Sequence, residues 1–204
     1  MPAHSESVNR SFNPPFSHRY YADDPLVVAP GLLGALLIHN HPDRGLLAGR
    51  IVETEAYRGM EDQACHASKG QTKRTAPMFG PPGHAYVYLI YGMYEMFNVV
   101  TWPEGEPSAV LIRGVEPIAG IEGTTNGPGK LTRALHIDRR LNESDLVAGP
   151  LIIVPDQMIA AECIETSPRI GVGYAGEWTE KPWRFSVRDN PHVSKPPKRR
   201  STTV

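Results

Sequence analysis

Alternating apolar and polar positions, interrupted by glycine and proline, predict a protein built mainly of short β-strands. The strongest strand signal is the run HAYVYLIY at residues 84–91, which is rich in aromatic and branched side chains. Gly92 allows a tight reversal, and residues 93–101 form a second β-prone run. The pattern therefore predicts a β-hairpin with Tyr91 at or near its tip.

Further strands are predicted on both sides of this hairpin. Residues 46–57 leave a turn-forming HPDRG segment at residues 41–45, which indicates another hairpin. Strands are also predicted at residues 108–116, 151–154, 169–172 and 184–188.

Helices are predicted to be few and short. Asp24 followed by Pro25 is typical of a helix start, and Pro30-Gly31 should interrupt that helix. A second helix is predicted at residues 128–137, whereas residues 32–38 fit either a helix or a buried strand. Residues 58–83 have no periodic pattern, and a loop of that length is usually functional or disordered.

The chain length of 204 residues fits one domain. We expect an irregular segment at residues 1–20, a folded domain at residues 21–190, and a basic, disordered tail at residues 191–204. No apolar run reaches the length of a membrane span, and the N-terminus lacks a signal-peptide pattern, so we expect a cytoplasmic protein without a membrane partner.

The strand at residues 46–57 carries an unusual set of side chains. On an ideal strand Ile51, Glu53, Glu55 and Tyr57 share one face, and residues 52, 54 and 56 share the other. Buried carboxylates need partners, so this face is either solvated or a site where a carboxylate acts as a general base beside an aromatic ring.

Two other residues stand out. Arg113 lies within the apolar strand SAVLIRGV, where a buried guanidinium should pair with a carboxylate or a functional oxygen. Tyr91 either folds back onto the core or inserts between bases, as apolar wedges of DNA-bending proteins do. Tyr86 fits an ordinary core position better than a stacking role.

Charge argues weakly against a nucleic-acid partner. The formal net charge is −1, whereas proteins that bind phosphate backbones usually carry a basic face. Basic side chains do cluster locally, at Lys69, Lys73 and Arg74, at Lys130, Arg133, Arg139 and Arg140, and at Lys195, Lys198, Arg199 and Arg200. The two cysteines and eight histidines show no metal-ligand spacing, so no metal site is expected.

Five collinear segments resemble the alkyladenine (3-methyladenine or methylpurine) DNA glycosylase family. They are GRIVETEAYRG (49–59), the segment from DQACHASKG to MFNVVT (62–101), SAVLIRGVEP (108–117), GPGKLTRAL (127–135) and RIGVGYAGEWTEKPWRF (169–185). The resemblance implies a single α+β domain with a curved antiparallel β-sheet, short flanking helices and a protruding β-hairpin. It also implies a monomer that needs neither metal nor organic cofactor.

The resemblance further implies a base-excision repair enzyme that acts on double-stranded DNA. It would flip out 3-methyladenine, 7-methylguanine, hypoxanthine or ethenoadenine and hydrolyse the N-glycosidic bond, without strand-cleaving lyase activity. Glu55 would be the general base and face a purine-sized slot at a sheet edge. Arg113 and the backbone carbonyl of Ile170 would hold the attacking water.

The remaining matched residues would bind DNA. Tyr91 would fill the gap left by the flipped nucleotide, Tyr57, His66 and Tyr88 would enclose the base, and Asn98 would crowd the 2-amino group of guanine. The near-neutral charge and Glu95 near the hairpin tip depart from this picture. A catalytically weak damaged-DNA-binding protein of the same fold, or an enzyme acting on free nucleosides, remains an alternative.

Overall fold

The computed structural model describes residues 12–197, which form eight strands and three short α-helices. The strands are β1 (Leu36–His41), β2 (Gly45–Arg58), β3 (Ala85–Ile90), β4 (Tyr94–Thr101), β5 (Ser108–Ala119), β6 (Leu151–Val154), β7 (Ile164–Ser167) and β8 (Arg184–Val187). The helices are α1 (His18–Tyr21), α2 (Pro25–Gly31) and α3 (Pro128–Ala134).

All eight strands join one antiparallel sheet. Six of them follow the order β3-β4-β5-β2-β1-β6, and β7 and β8 lie off this path. The long strand β2 is central. Along one edge it pairs with β5, and along the other it pairs first with β1 and then with β8, which in turn pairs with β7. The architecture confirms the prediction of an α+β domain with a curved antiparallel sheet and short flanking helices.

The main apolar core lies where the helices pack on the sheet. Val28 and Ala29 of α2 and Leu131 of α3 are buried in the same cluster as Ala56 of β2 and Ile112 of β5. The sheet is therefore covered on this side, which leaves the side of β2 that carries Glu55 for other uses.

Helix α2 begins where the sequence predicts. The Asp24 side chain accepts a hydrogen bond of 2.9 Å from the Leu26 amide, and Pro25 occupies the first turn, where a missing N–H costs nothing. The helix ends at Gly31, and Pro30 lies inside its last turn. Part of the ambiguous segment 32–38 is strand, because β1 begins at Leu36.

The predicted strict alternation of side chains between the two faces of β2 is interrupted near Glu53. The register with β5 shifts between Ile51 and Glu53 and again between Glu53 and Thr54. A bulge of this kind changes which face the following side chains occupy. Ile51 consequently packs in the main core with Ala56 instead of sharing a face with Glu53 and Glu55.

Two segments near the C-terminal end differ from expectation. Residues 169–172 form a loop and not a strand, since β7 ends at Ser167 directly before Pro168 and Gly171 has a φ angle of 81°. Residues 191–197, predicted to be disordered, lie against β2 and β5, with Val193 buried. Lys198, Arg199 and Arg200 of the predicted tail lie outside the described residues, as do residues 1–11.

The β3–β4 hairpin protrudes as predicted. Tyr91 and Gly92 form its turn with φ angles of 53° and 69°, and the Met93 amide donates to the Ile90 carbonyl at 3.2 Å. A tyrosine in this left-handed region is uncommon and strained, by roughly 1 kcal/mol. The tip thus holds a bulky ring in a conformation that glycine or asparagine would adopt more easily.

Candidate active site

A cavity of about 330 Å³ opens beside the hairpin, on the side of the sheet opposite the main apolar core, and Pro128 at the start of α3 is part of its lining. Strands β3, β4 and β5 contribute its floor, and the loops around residues 64–66 and 170–174 contribute its rim. Seven of the eight side chains or backbone groups singled out in the sequence line this one cavity: Tyr57, His66, Tyr88, Tyr91, Asn98, Arg113 and Ile170.

Glu55, the eighth, lies directly beneath the cavity and has no exposed surface. Its Oε1 accepts a hydrogen bond of 2.7 Å from the Ile170 amide. Its Oε2 accepts bonds from the Tyr57 hydroxyl at 2.8 Å and from Nη1 of Arg113 at 3.2 Å. All three donors line the cavity, so the carboxylate is one side-chain layer away from it.

This arrangement corrects one detail of the sequence-based expectation. The carboxylate of Glu55 is not open at a sheet edge but is covered by Tyr57, Arg113 and Ile170. Ile170 contacts Glu55 through its N–H, and the role of its carbonyl in holding the attacking water stays a prediction. A water molecule therefore reaches Glu55 only when one of the covering groups moves.

Arg113 lies between two buried carboxylates. Its Nε is 3.4 Å from Oε1 of Glu53, and its Nη1 is 3.2 Å from Oε2 of Glu55. A buried guanidinium needs this compensation, because an unpaired charge in the interior is very costly. The structural ion pair and the contact with the candidate general base both exist, as the sequence allowed.

Tyr57 remains a hydrogen-bond donor to Glu55 at all ordinary pH values. Burial raises the pKa of its hydroxyl well above the usual value, and the nearby negative charge of Glu55 raises it further. The phenol consequently keeps its proton, which it donates to the carboxylate.

Three aromatic side chains form one wall of the cavity. The His66 ring meets the Tyr88 ring edge-on at 4.6 Å, and the Tyr86 and Tyr88 rings lie 5.1 Å apart. The Tyr86 hydroxyl is also 3.1 Å from Nδ1 of His66. Tyr86, which its sequence pattern assigned to the core, is thus a wall residue as well as a buried one. Its side chain faces the cavity because it alternates in phase with Tyr88 along β3.

The exposed guanidinium of Arg74 lies 5.0 Å from the centre of the Tyr88 ring. It places one of the basic side chains noted in the sequence at the wall of the cavity. Flat aromatic faces accept any base by stacking, and the guanidinium contacts the Tyr88 ring by a cation–π interaction.

Asn98 is buried at the cavity floor on β4. Its Nδ2 donates a 3.0 Å hydrogen bond to the Tyr86 carbonyl across the β3–β4 pair. This bond fixes the amide in place, so its position is set by the strands and not by a bound ligand.

His66 is neutral in the folded protein over the physiological range. Burial lowers its pKa to about 4, and the positive charge of Arg74 contributes in the same direction. A neutral imidazole can face a positively charged ring without charge repulsion.

The His66 pKa gives a testable pH dependence. Between pH 6.5, the ordinary value for histidine, and about pH 4, the unfolded chain binds a proton that folded His66 does not. The free energy of unfolding should therefore fall as pH decreases through this window. In urea unfolding at pH 7, 5.5 and 4, His66→Gln should reduce this acid sensitivity. His41→Gln, outside the cavity, is the control. Equal acid sensitivity of the wild type and His66→Gln would contradict the prediction.

Tyr91 stands at the cavity mouth with 83% of its surface exposed. The alternative in which it folds back onto the core is therefore wrong. Tyr174, on the opposite rim loop, is 70% exposed and also lines the cavity. Sequence reasoning passed over Tyr174, although it lies in the matched segment RIGVGYAG.

A buried ion pair links two loops next to the cavity. Nη1 and Nη2 of Arg169 donate to the two carboxylate oxygens of Asp62 at 2.5 and 2.8 Å. The guanidinium also donates to the Ala56 carbonyl at 2.8 Å and lies 4.7 Å from the centre of the Tyr57 ring. Arg169 thereby ties the loop after β2 to the loop that carries Ile170. The sequence placed both residues in matched segments but gave no sign of their pairing.

Glu95, expected to oppose phosphates near the hairpin tip, is neutralised locally. Its Oε1 is 3.1 Å from Nε of Arg139. Arg140 pairs in turn with Asp138, so two of the basic residues near α3 are already engaged with carboxylates.

Within residues 12–197, one group of potential metal ligands has its ligand atoms within 4.8 Å of one another: His18, His84 and Asp145. Nε2 of His18 lies 3.0 Å from Oδ1 of Asp145, as in an ordinary surface ion pair. None of the three residues lines the cavity. The expectation of an activity without metal or cofactor stays a prediction. Over the same residues, no helix has the length and apolar character required to cross a bilayer.

Known proteins resemble this chain over most of its length. A family model described as methylpurine-DNA glycosylase (MPG) matches residues 19–191. A protein of Anaeromyxobacter dehalogenans (strain 2CP-1), named "Putative 3-methyladenine DNA glycosylase", is 53% identical over 179 residues, or 87% of this chain and 84% of the relative.

Relatives from other bacteria carry the same name. The protein of Legionella pneumophila (strain Corby) is 52% identical over 86% of this chain and 96% of its own length. That of Myxococcus xanthus (strain DK1622) is 52% identical over 89% of this chain and 95% of its own length. Together with the family match, which spans most of the chain, these similarities identify the chain as a member of the methylpurine-DNA glycosylase family.

Proposed function

We propose that this chain is a monofunctional DNA glycosylase that flips alkylated or deaminated purines out of duplex DNA and hydrolyses their N-glycosidic bond. The substrates would be 3-methyladenine, 7-methylguanine, hypoxanthine and ethenoadenine. The observation that carries the proposal is the pairing of an exposed wedge, Tyr91, with an aromatic cavity whose floor covers the hydrogen-bonded carboxylate of Glu55.

The cavity suits a flat, electron-poor ring. Tyr57, Tyr88 and neutral His66 offer aromatic faces and edges, while Asn98 limits the space at the floor. Alkylation at N3 or N7 gives the purine a positive charge, which strengthens stacking on electron-rich rings and makes the base a better leaving group. Asn98 would reject unmodified guanine by crowding its 2-amino group.

Glu55 would stabilise the transition state and activate the attacking water. As the purine leaves, positive charge develops on the sugar, and a fixed carboxylate nearby stabilises that charge. The same carboxylate accepts a proton from the attacking water. Because Tyr57, Arg113 and Ile170 cover Glu55 in the free protein, base entry must shift one of them enough to admit the water.

We expect the reaction to proceed without strand cleavage, and the residues around the cavity support this expectation. A glycosylase with lyase activity uses an amine that forms a Schiff base with the sugar. None of the described residues that line the cavity is a lysine. We therefore expect an abasic product that breaks only after treatment with alkali.

Tyr91 would lower the free-energy cost of base flipping. Extruding a base costs a few kcal/mol of lost stacking and pairing, and an inserted ring recovers part of it. The ring stands at the cavity mouth, where a nucleotide leaving the stack would pass.

The decisive experiment uses labelled duplexes that each carry one modified purine, incubated with the protein and then treated with alkali. Strand breaks that appear only after alkali support a monofunctional glycosylase, and breaks without alkali contradict it. Damage-specific binding without any breaks would instead favour a catalytically weak damaged-DNA-binding protein. Hydrolysis of free nucleosides at the duplex rate would favour the small-molecule alternative.

Tyr91→Asn should slow excision from duplex DNA about tenfold to a hundredfold, because one stacked ring contributes about 1–3 kcal/mol. Asparagine tolerates the positive φ of this position, so the variant should fold at least as stably as the wild type. Excision from single-stranded DNA should change far less, since nothing needs to fill a gap. Met93→Ala, at an exposed position two residues further along the hairpin tip, is the control. Equal losses in both variants would assign the effect to the tip in general and not to the ring.

A further inference from the structure

We propose that residues 192–195, which follow the last strand, are a positioning element of the active site. They keep the Arg113 guanidinium in contact with the Glu55 carboxylate. This inference rests on the proposed glycosylase function. It concerns a segment that its basic, proline-rich sequence predicted to be disordered. Ser194 is the residue through which the segment acts.

Ser194 binds the buried carboxylate of Glu53 twice. Its amide donates to Oε2 at 2.6 Å, and its hydroxyl donates to Oε1 at 3.0 Å. The Ser194 hydroxyl also lies 3.4 Å from Nη2 of Arg113. The segment therefore contacts both members of the Glu53–Arg113 ion pair.

A second arginine anchors the same segment. Nη1 of Arg184, on β8, donates to Oε1 of Glu53 at 2.9 Å and to the Lys195 carbonyl at 2.7 Å. Glu53 thus receives hydrogen bonds from Arg113, from Arg184 and from both donors of Ser194. Removing the Ser194 hydroxyl leaves Glu53 with three donors, the two arginines and the Ser194 amide.

The effect should reach Glu55 through Arg113, which is shared. Arg113 contacts Glu53 at 3.4 Å and Glu55 at 3.2 Å, so the two carboxylates compete for one guanidinium. A Glu53 with fewer donors attracts Arg113 more strongly, and Glu55 then loses part of its compensation. Arg113 would also leave the place from which it holds the attacking water.

Gly114 shows that the sheet is shaped for this segment. A Cβ at Gly114 would lie 2.6 Å from the His192 carbonyl oxygen, a contact that backbone atoms do not tolerate. The neighbour of Arg113 on β5 is consequently a residue without a side chain, and residues 192–195 pass directly over it. Gly114→Ala should displace the segment without altering Ser194 itself.

Several charged or titratable groups face Glu55, and a change at Ser194 alters only one of their effects on it. Arg113 and Tyr57 bind the carboxylate directly, and Glu53 competes for Arg113. Arg169 from the rim loop and Tyr88 from β3 act on Glu55 through space. Of these, only the competition between Glu53 and Glu55 for Arg113 depends on the segment.

The test is single-turnover excision of a modified purine between pH 5 and pH 9 by the full chain and its variants. Ser194→Ala and Gly114→Ala should each lower the rate at neutral pH about tenfold, the scale of one hydrogen bond to a charged group. They should also move the acidic limb of the pH–rate profile to higher pH, where the general base is protonated too early. Affinity for duplex DNA should not change, and Ser194→Thr, which keeps the hydroxyl, should restore both the rate and the profile.

Ser186→Ala is the matched control. Ser186 is a buried serine on β8 whose hydroxyl contacts no partner among the described residues. Its replacement should leave the profile unchanged. An active wild type whose pH profile is unaffected by Ser194→Ala and Gly114→Ala would overturn the positioning role and leave the glycosylase function standing. A wild type that excises no modified purine would overturn the proposed function, and with it the catalytic meaning of the segment.

Discussion

Glu55→Gln is expected to slow excision of a modified purine by about 10²- to 10⁴-fold, the usual contribution of a general base. The amide keeps the shape of the side chain, but its single oxygen accepts on one side only, either from the Ile170 N–H or from Tyr57 and Arg113. It cannot take a proton from water, and it carries no charge to stabilise the developing cation on the sugar. Single-turnover assays with enzyme in excess measure this loss directly.

Binding separates this loss of chemistry from a loss of structure. The Glu55→Gln protein should bind duplex DNA with a modified purine as tightly as the wild type does, since Tyr91 and the cavity wall are untouched. Glu116→Gln is the control, because Glu116 forms an ion pair with Arg50 that is partly exposed. Excision by Glu55→Gln at more than one tenth of the wild-type rate would refute the assignment of the base.

The largest expected effect on stability comes from Arg169→Met, at about 3–5 kcal/mol in the free energy of unfolding. The substitution leaves the Asp62 carboxylate fully buried without its guanidinium partner. For a domain of this size the loss corresponds to a fall in Tm of about 10 °C. Thermal and urea unfolding followed by circular dichroism would measure it.

A double-mutant cycle shows whether the lost pair is the cause. Asp62→Asn combined with Arg169→Met should recover part of the stability, because no unpaired charge is then left in the interior. Arg139→Met, which breaks a pair whose arginine is exposed, should cost under about 1 kcal/mol. Similar losses from Arg169→Met and Arg139→Met would show that the buried pair has no special weight.

Local signals in the sequence predict much of this fold. The Asp24-Pro25 helix start, the β3–β4 hairpin and the exposed Tyr91 depend on residues close together in the chain, and each is found where it was expected. Glu55, Arg113 and Tyr91 stood out by residue type and position, the family resemblance assigned the other site residues, and the cavity brings seven of the eight together.

What the sequence could not give depends on contacts between distant residues. The bulge in β2 moves Ile51 to the core face, and no alternation rule anticipates it. The buried pair of Arg169 and Asp62 joins residues 107 positions apart. Burial of Glu55 likewise depends on Ile170, which is 115 positions away.

The contact between Ser194 and Glu53 spans 141 positions, and this separation bears on how the protein is made. Strand β2 leaves the ribosome early, while Arg113, Arg184 and Ser194 follow much later. Burying the Glu53 carboxylate before these donors arrive would cost several kcal/mol. We therefore expect the centre of the sheet to stay hydrated until residue 194 has emerged from the ribosome, so that the domain closes only after the segment following β8 has been synthesised.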